Sequence, residues 1–459
     1  MGNFAKTYYP QSGSLVVLGA GESGVGAAVL AKDQGFQVWV SDKGKVSSHY
    51  QYILEQEGIP YEEEQHTLTK VLAADLIIKS PGIPNYVEVL QQARSAGIPV
   101  ISEIEFAAQY TDAVLIAITG SNGKTTTSML THYILTNAGS HVGLAGNVGY
   151  SFAYQVARNP SDTYVLELSS FMLEDMHHFR AHIAVLLNIT PDHLDRYNGS
   201  LEEYNAAKFR ILQNLTSDDY FIYCVDDKEI LKGLEKHHTP AQQLKFSVFQ
   251  EVLMGAYLNK EENKLVMNTP NNNEEFEMKL EDLSLQGTHN VYNNMAAGLV
   301  AKVQELRNKT MRDSMSSYVN VEHRLEHVAC IGGVNYINDS KATNVNSVWY
   351  ALESFSPNIV LIIGGVDKGN DYSMLRDLVK QKVSAIVCIG KDNGRIHDAF
   401  EDVVDAIVNS SSMSDAVEIA SHLAHKGDTV LLSPACASFD RFKNYEDRGT
   451  QFKEAVMNL

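Results

Sequence analysis

A run of apolar and β-branched residues, Ala113-Val-Leu-Ile-Ala-Ile-Thr119, passes directly into Gly120-Ser121-Asn122-Gly123-Lys124-Thr125-Thr126-Thr127. Apolar positions at helical spacing follow, Met129, Leu130, Tyr133 and Ile134. The order is strand, phosphate loop, helix. Glycines let backbone N–H groups turn inward on an anion, the helix start adds unpaired N–H groups, and Lys124 adds a point charge for the outer phosphates. Thr125 is placed to ligate Mg²⁺. The full pattern asks for another glycine five residues before Gly123, where Ile118 stands. The expectation is a nucleoside triphosphate site; the plainer alternative is a glycine-rich turn with a solvated lysine.

A second strand, Ser14-Leu-Val-Val-Leu18, runs into Gly19-Ala-Gly21-Glu22-Ser23-Gly24 and a helix carrying Val25, Ala28 and Val29. This is a G-x-G-x-x-G fingerprint in strand-to-helix context. The next strand, Gln37 to Ser41, ends at Asp42, where a carboxylate could meet a ribose hydroxyl. A nucleotide or its diphosphate is expected here, against glycines that serve only tight packing. A nicotinamide cofactor is disfavoured, because no hydride-transfer constellation follows. Further strands at Asp75–Lys79 and Pro99–Ser102 complete an α/β domain ending near residue 103, with Ser80-Pro-Gly82-Ile-Pro84 as a stiff turn at its ligand rim.

At 459 residues the chain is too long for one core and suggests about three domains. A formal charge of −19 excludes the dense basic surface that nucleic acids or anionic membranes require. Cys224, Cys330, Cys388 and Cys436 have no metal-ligand spacing and fit a reducing compartment. The N-terminus lacks an apolar signal core, and no apolar run approaches the ~20 residues that span a bilayer. A cytoplasmic protein is expected.

Polar residues collect where the later strands end. Gly146-Asn147-Val-Gly149 is a small-residue turn, and Glu167 closes the apolar run Tyr164–Leu166, from which a carboxylate can reach a phosphate-bound metal. Asp192 and His193 follow another strand, although a lone histidine is more often structural. Lys208 lies in a helical pattern, Leu201 to Leu212, and on its own reads as a solvated charge. Residues 216–287 read as a peripheral β segment with a hairpin between Leu258 and Met267. Asn290 and Asn293 share nearly one helix face and could bond a purine or cap the helix. From about Val321 a third α/β unit begins, in which Asp339, Lys341, Lys368 and Ser438 stand at strand rims.

These motifs resemble those of the Mur ligase family. The resemblance rests on Gly120-Ser-Asn-Gly-Lys-Thr125, Glu167-Leu-Ser-Ser-Phe-Met-Leu-Glu174, Asp192-His-Leu-Asp-Arg-Tyr197, Asn338-Asp-Ser-Lys-Ala-Thr-Asn344 and the run from Ser433 to Gly449, and it covers the whole chain. The Asp-Asn-Pro-Arg motif of the diaminopimelate-adding branch is absent, which favours D-glutamate as the incoming amino acid. The fold implied is α/β in three domains: Rossmann-like at 1–103, P-loop ATPase-like with the peripheral β segment at 104–320, and Rossmann-like at 321–459. The resemblance further implies ATP-dependent amide formation through an acyl phosphate in peptidoglycan precursor synthesis, with UDP-N-acetylmuramoyl-L-alanine and D-glutamate as substrates. No nucleic-acid or membrane partner is implied, and a monomer is expected.

Carried over by position, the resemblance places Thr125 and Glu167 on one Mg²⁺ and His193 on a second. Lys208 matches a lysine that relatives carry as a CO₂-derived carbamate, a metal-ligand role that replaces the solvated-charge reading. Lys124 matches phosphate contacts; Gly120, Ser121, Asn122, Gly123, Thr125, Thr126, Asn290, Asn293, Arg324, Asp339 and Lys341 match the nucleotide site. Gly21, Glu22, Ser23, Asp42, Lys43, Ser80 and Gly82 match the uridine diphosphate site, with Asn147 and His193 near the muramoyl-alanine end. Lys368, Ser438 and Tyr445 match the amino-acid pocket, Tyr445 standing where phenylalanine is expected. The third domain is expected to close over the reactants. Other readings are a different Mur or folylpolyglutamate-type ligase and, from another class, a nucleotide-sensing module.

Overall fold

The structure, a computed structural model, describes residues 8–192, 194–270, 272–319, 322–367 and 369–459. It contains three sheets. The chain divides into two compact units: Met1–Asp282 with Tyr292–Ser316, which holds the first two sheets, and Leu283–Val291 with Ser317–Leu459, which holds the third.

The first sheet has five parallel strands in the order Tyr61–Glu62, Gln37–Ser41, Ser14–Leu18, Leu76–Lys79, Val100–Ser102. The order reverses direction at Ser14–Leu18, so the fingerprint loop after Leu18 and the turn after Lys79 flank the crevice where such sheets bind ligands. Val16, Leu18, Ile77, Leu90 and Val100 form one side of its core.

Nine strands make the second sheet. The phosphate-loop strand Val114–Thr119 pairs in parallel with Thr163–Glu167 on one side and Ile183–Leu186 on the other. All three are buried along their length or nearly so, as a strand covered on both faces must be, which is why they read as unbroken apolar runs. The β segment of residues 216–286 is peripheral in a specific sense: its strands continue this same sheet outward, from Tyr220–Cys224 to the edge strand Asn272–Lys279. The expected hairpin is present, Gly255–Asn259 pairing antiparallel with Lys264–Thr269. Leu265, Val266 and Met267 on its second strand are buried, so only the turn between is exposed.

The third sheet has six strands, five parallel and an antiparallel edge strand, Glu326–Ile331. Along Ile359–Ile363 alternate residues enter different cores, Ile359, Leu361 and Ile363 on one face and Val360 and Ile362 on the other. That is the period of two expected of a strand buried on both sides. Among the described residues no helix is long and apolar enough to cross a membrane.

Candidate active site

The phosphate loop is shaped by its own backbone and by the strand beside it. Gly123 precedes the helix Lys124–Asn137 with φ of +81°, where an L side chain is strained. A Cβ there would also stand 2.4 Å from Asn293 Oδ1. The Asn188 side chain takes the Asn122 N–H at 2.8 Å and donates to the Asn122 carbonyl at 3.0 Å. Ser121 Oγ lies 2.9 Å from Tyr204 Oη and donates to the Thr190 carbonyl at 2.9 Å. Lys124 folds back, its ammonium on the carbonyls of Gly120 and Ser121 at 2.8 and 2.7 Å.

Lys208 reaches the same place from the helix Leu201–Phe209: its Nζ donates to the Gly120 carbonyl at 2.8 Å and lies 4.6 Å above the Tyr204 ring. The side chain is buried, so the solvated-charge reading of the sequence does not hold. Burial and then the neighbouring Lys124 hold its amine well below the ordinary lysine range, against the pull of Asp192 and Glu167. Glu167, 1% exposed, ends the strand beside the loop. Its Oε1 accepts from Asn147 Nδ2 at 2.8 Å, while Oε2 is buried without a hydrogen-bond partner. A buried, unpartnered carboxylate oxygen is costly in a protein interior and suits a hard divalent cation. Thr125 and Thr126 are buried at the helix start. His193 lies outside the described residues. Among those described, no three His, Cys, Asp or Glu side chains form a metal-holding group.

At the first sheet, the fingerprint glycines divide into two kinds. A Cβ on Gly24 would stand 1.8 Å from the Gly19 carbonyl oxygen, and one on Gly19 would stand 2.5 Å from Ser80 Oγ; these two permit close packing. Gly21 and Gly82 have no atom within 4 Å of a Cβ position, so the space beside them is open. Asp42 is committed to the loop itself, accepting the Ala20 N–H at 2.6 Å and the Gly44 N–H at 2.7 Å. Glu22 likewise holds the Ser151 N–H at 3.0 Å and the Tyr50 hydroxyl at 2.9 Å. Ser23 is half-buried and Lys43 exposed.

Two asparagines that share a helix face have different surroundings. Asn293 Oδ1 accepts from Thr127 Oγ1 at 3.1 Å, beside the phosphate loop, whereas Asn290 Nδ2 donates to the Gln286 carbonyl at 2.8 Å. In the second unit, Asp339 follows the strand Val334–Asn338 and accepts from Ser433 Oγ at 2.9 Å. Burial pushes its carboxyl up to about 7, opposed by the charge of Arg324. The Lys341 ammonium lies 5.2 Å above the Tyr445 ring, and Ser438 is buried. Lys368 lies outside the described residues. The sequence reading passed over Arg448, which is fully buried and ties this region together. It donates to Ser340 Oγ at 3.0 Å, the Ser340 carbonyl at 2.8 Å and the Cys436 carbonyl at 3.1 Å. Its place in the polar run Asn444-Tyr-Glu-Asp-Arg448 gave no sign of burial.

Three family models match the chain: Mur ligase MurD-like, N-terminal domain, over residues 13–102; Mur ligase middle domain, over 118–301; and Mur ligase, glutamate ligase domain, over 323–436. The chain is 52% identical to the UDP-N-acetylmuramoylalanine–D-glutamate ligase of Christiangramia forsetii, across 97% of its own length and 99% of the relative's. The chain belongs to the Mur ligase family. The enzyme of the same name from Bacteroides fragilis is also 52% identical, over 97% of this chain and 99% of the relative. The Mur ligase fold extends further: the pseudomurein peptide ligase type C of Methanothermus fervidus has a TM-score of 0.63 at 19% identity, covering 97% of this chain and 99% of that one. The Mur ligase middle-domain match begins at Ile118, two residues before the first glycine of the phosphate loop.

Proposed function

We propose that this Mur ligase joins the amine of D-glutamate to the terminal carboxylate of UDP-N-acetylmuramoyl-L-alanine, converting ATP to ADP and phosphate, in cytoplasmic peptidoglycan precursor synthesis. The observation that carries the reading is identity of about half the residues, over nearly all of both chains, with relatives of that named activity. The domains are assigned as 1–103 for the UDP handle, 104–320 for ATP and 321–459 for the amino acid, and the enzyme acts as a monomer.

The substrate carboxylate attacks the γ-phosphorus of ATP, giving an acyl phosphate and ADP. The amine of D-glutamate then attacks the acyl carbon, and phosphate leaves as the tetrahedral intermediate collapses. Lys124, now on two loop carbonyls, turns to the phosphates when they arrive. Thr125 and Glu167 hold one Mg²⁺, and His193 with Lys208 the second; the metal supplies positive charge against the negative charge that gathers on the transferring phosphoryl group. A carbamate on Lys208 forms when its neutral amine adds to CO₂ and loses a proton, giving oxygen donors where an amine has none. The burial that lowers the proton affinity of this amine favours that addition. Asn290, Asn293, Arg324, Asp339 and Lys341 bind the nucleotide, and Lys368, Ser438 and Tyr445 the amino acid. Gly21 and Gly82, open to approach, receive the diphosphate, with Asn147 near the muramoyl-alanine end.

Phosphate release in the presence of ATP, Mg²⁺ and the UDP-linked acceptor tests the reading. Release that requires D-glutamate, and that L-alanine, L-lysine or diaminopimelate does not replace, is expected. Release with one of those in place of D-glutamate would assign the chain to another branch.

A further inference from the structure

The turn Ser80-Pro81-Gly82-Ile83-Pro84 offers two carbonyls to cations whose counter-charges come from the second sheet's domain. Arg196 donates to the Pro81 carbonyl at 3.0 Å and, through its other terminal nitrogen, to Glu174 Oε2 at 3.0 Å. Its guanidinium carbon lies 4.1 Å from the centroid of the Phe171 ring, so a cation–π contact adds to the hydrogen bonds that hold it. Lys79 donates to the Ile83 carbonyl at 2.9 Å and forms a buried ion pair with Asp175 at 2.7 Å. Consecutive acids, Glu174 and Asp175, thus hold the two cations that grip consecutive bends of one turn. Asn85, just past the turn, adds a bond to Glu174 Oε2 at 2.9 Å.

The same carboxylate leads on to the phosphate loop. Glu174 Oε1 accepts from Tyr197 Oη at 2.7 Å, and Tyr197 meets the Tyr204 ring edge-on at 5.5 Å between centroids. Tyr204 Oη in turn lies 2.9 Å from Ser121 Oγ in the phosphate loop. Arg196 and Glu174 are 13% and 14% exposed, so this pair is largely shielded from solvent and from screening by salt. A guanidinium shared by a carbonyl and a carboxylate in a mostly buried setting resists displacement far better than a surface ion pair.

We propose that Glu174 and Arg196 are positioning residues that clamp the Ser80–Pro84 turn in register with the phosphate loop, setting the distance between the UDP-linked acceptor and the γ-phosphate. The proposal rests on reading that turn as part of the UDP-substrate site. The clamp acts on the acceptor's diphosphate handle and not on ATP. Its loss therefore weakens acceptor binding and misplaces the acceptor carboxylate, while the ATP contacts of the phosphate loop stay intact.

The test is a double-mutant cycle with Arg196→Gln and Glu174→Gln, read by steady-state ligation with each substrate varied in turn. The clamp predicts that each variant raises KM for the UDP-linked acceptor by about tenfold or more while KM for ATP moves by less than about twofold. The double variant should be little worse than either single one, because both remove the same clamp. Arg196→Lys, which can reach one partner but not both, should recover part of the loss. A lower kcat with both KM values unchanged would mark a merely structural role and overturn the proposal, as would additive losses. Hydrogen exchange provides a readout that does not depend on the substrate: peptides covering residues 80–84 should exchange faster in Arg196→Gln than in the wild type. Unchanged exchange would overturn the clamp. A wild type that fails to ligate this acceptor would instead overturn the substrate reading, with the exchange comparison still deciding the clamp.

Discussion

Lys208 Nζ and Lys124 Nζ share one acceptor, the carbonyl oxygen of Gly120, at 2.8 Å each. Two cations on one carbonyl, one of them on a buried side chain, is an arrangement that charge repulsion and desolvation both oppose. It is resolved if Lys208 carries no positive charge, as a neutral amine or as a carbamate.

For Lys208, carbamate formation predicts a carbonyl carbon signal when the enzyme is equilibrated with ¹³C-bicarbonate and observed by NMR, absent in Lys208→Ala. Ligation by Lys208→Ala should fall by about a hundredfold or more, in line with the loss of a metal-ligating group. Full activity in that variant would remove Lys208 from the metal site.

The unpartnered Oε2 of Glu167 predicts a magnesium phenotype. Glu167→Gln keeps the oxygen that accepts from Asn147 and replaces the other by an amide nitrogen, which repels a cation. The half-saturating Mg²⁺ concentration should rise by about tenfold or more, measured as ligation rate against metal concentration. An unchanged requirement would show that Glu167 is not a ligand.

The two kinds of fingerprint glycine should separate packing from binding. Gly24→Ala forces a Cβ against the Gly19 carbonyl and should not accumulate as folded protein. Gly21→Ala meets no atom within 4 Å at ordinary φ of −84°, so its stability should stay within about 0.5 kcal/mol of the wild type. Its KM for the UDP-linked acceptor should nevertheless rise by about tenfold. Normal acceptor affinity in Gly21→Ala would place the diphosphate elsewhere.

Glu103 predicts a pH effect on stability. Its carboxyl, buried while accepting from Ser151 Oγ and the Ala153 N–H at 2.7 Å each, is pushed up to about 7, chiefly by desolvation. Between the unfolded value of about 4.3 and about 7 the folded state binds more protons than the unfolded chain. The contribution of this carboxyl is therefore fully present below the unfolded value and is lost as pH rises through about 7. Glu103→Gln keeps an acceptor oxygen but does not titrate. The melting temperature of the wild type relative to Glu103→Gln should fall from pH 5 to pH 7.5 and level off above; a constant difference would contradict the assignment.

Much of this architecture is legible in the residues because parallel sheets covered on both faces write themselves as unbroken apolar runs. Val114–Thr119, Thr163–Glu167 and Ile359–Ile363 are all such runs. The glycine loops are legible for a related reason, since Gly24 and Gly123 stand where no side chain fits. Side-chain partners are harder to read, because they depend on chain brought in from far away. Asp42 reads only as a carboxylate at a strand end, and its bonds to the Ala20 and Gly44 N–H groups appear once the loops are folded around it. Lys208 reads as a surface charge until the phosphate loop, 88 residues earlier, closes over it. Arg448 lies in a polar run, and only the Ser340 and Cys436 carbonyls explain its burial. The strands of 216–286 pair in chain order, and their tie to the phosphate-loop strand runs through Ile183–Leu186, which pairs with Val114–Thr119 from more than sixty residues away.

The central claim, that this chain is a ligase for D-glutamate and the UDP-linked acceptor, is tested most directly by the mass of its product. The wild-type enzyme is given ATP, Mg²⁺, UDP-N-acetylmuramoyl-L-alanine and an equimolar mixture of D-glutamate, L-glutamate, L-alanine, L-lysine and diaminopimelate. Chiral analysis of the hydrolysed product then distinguishes the two glutamates. The account predicts a single UDP-linked product, heavier by one glutamyl residue and containing D-glutamate, formed together with one ADP and one phosphate. A product carrying any other amino acid, or ADP release with the acceptor unchanged, would contradict it.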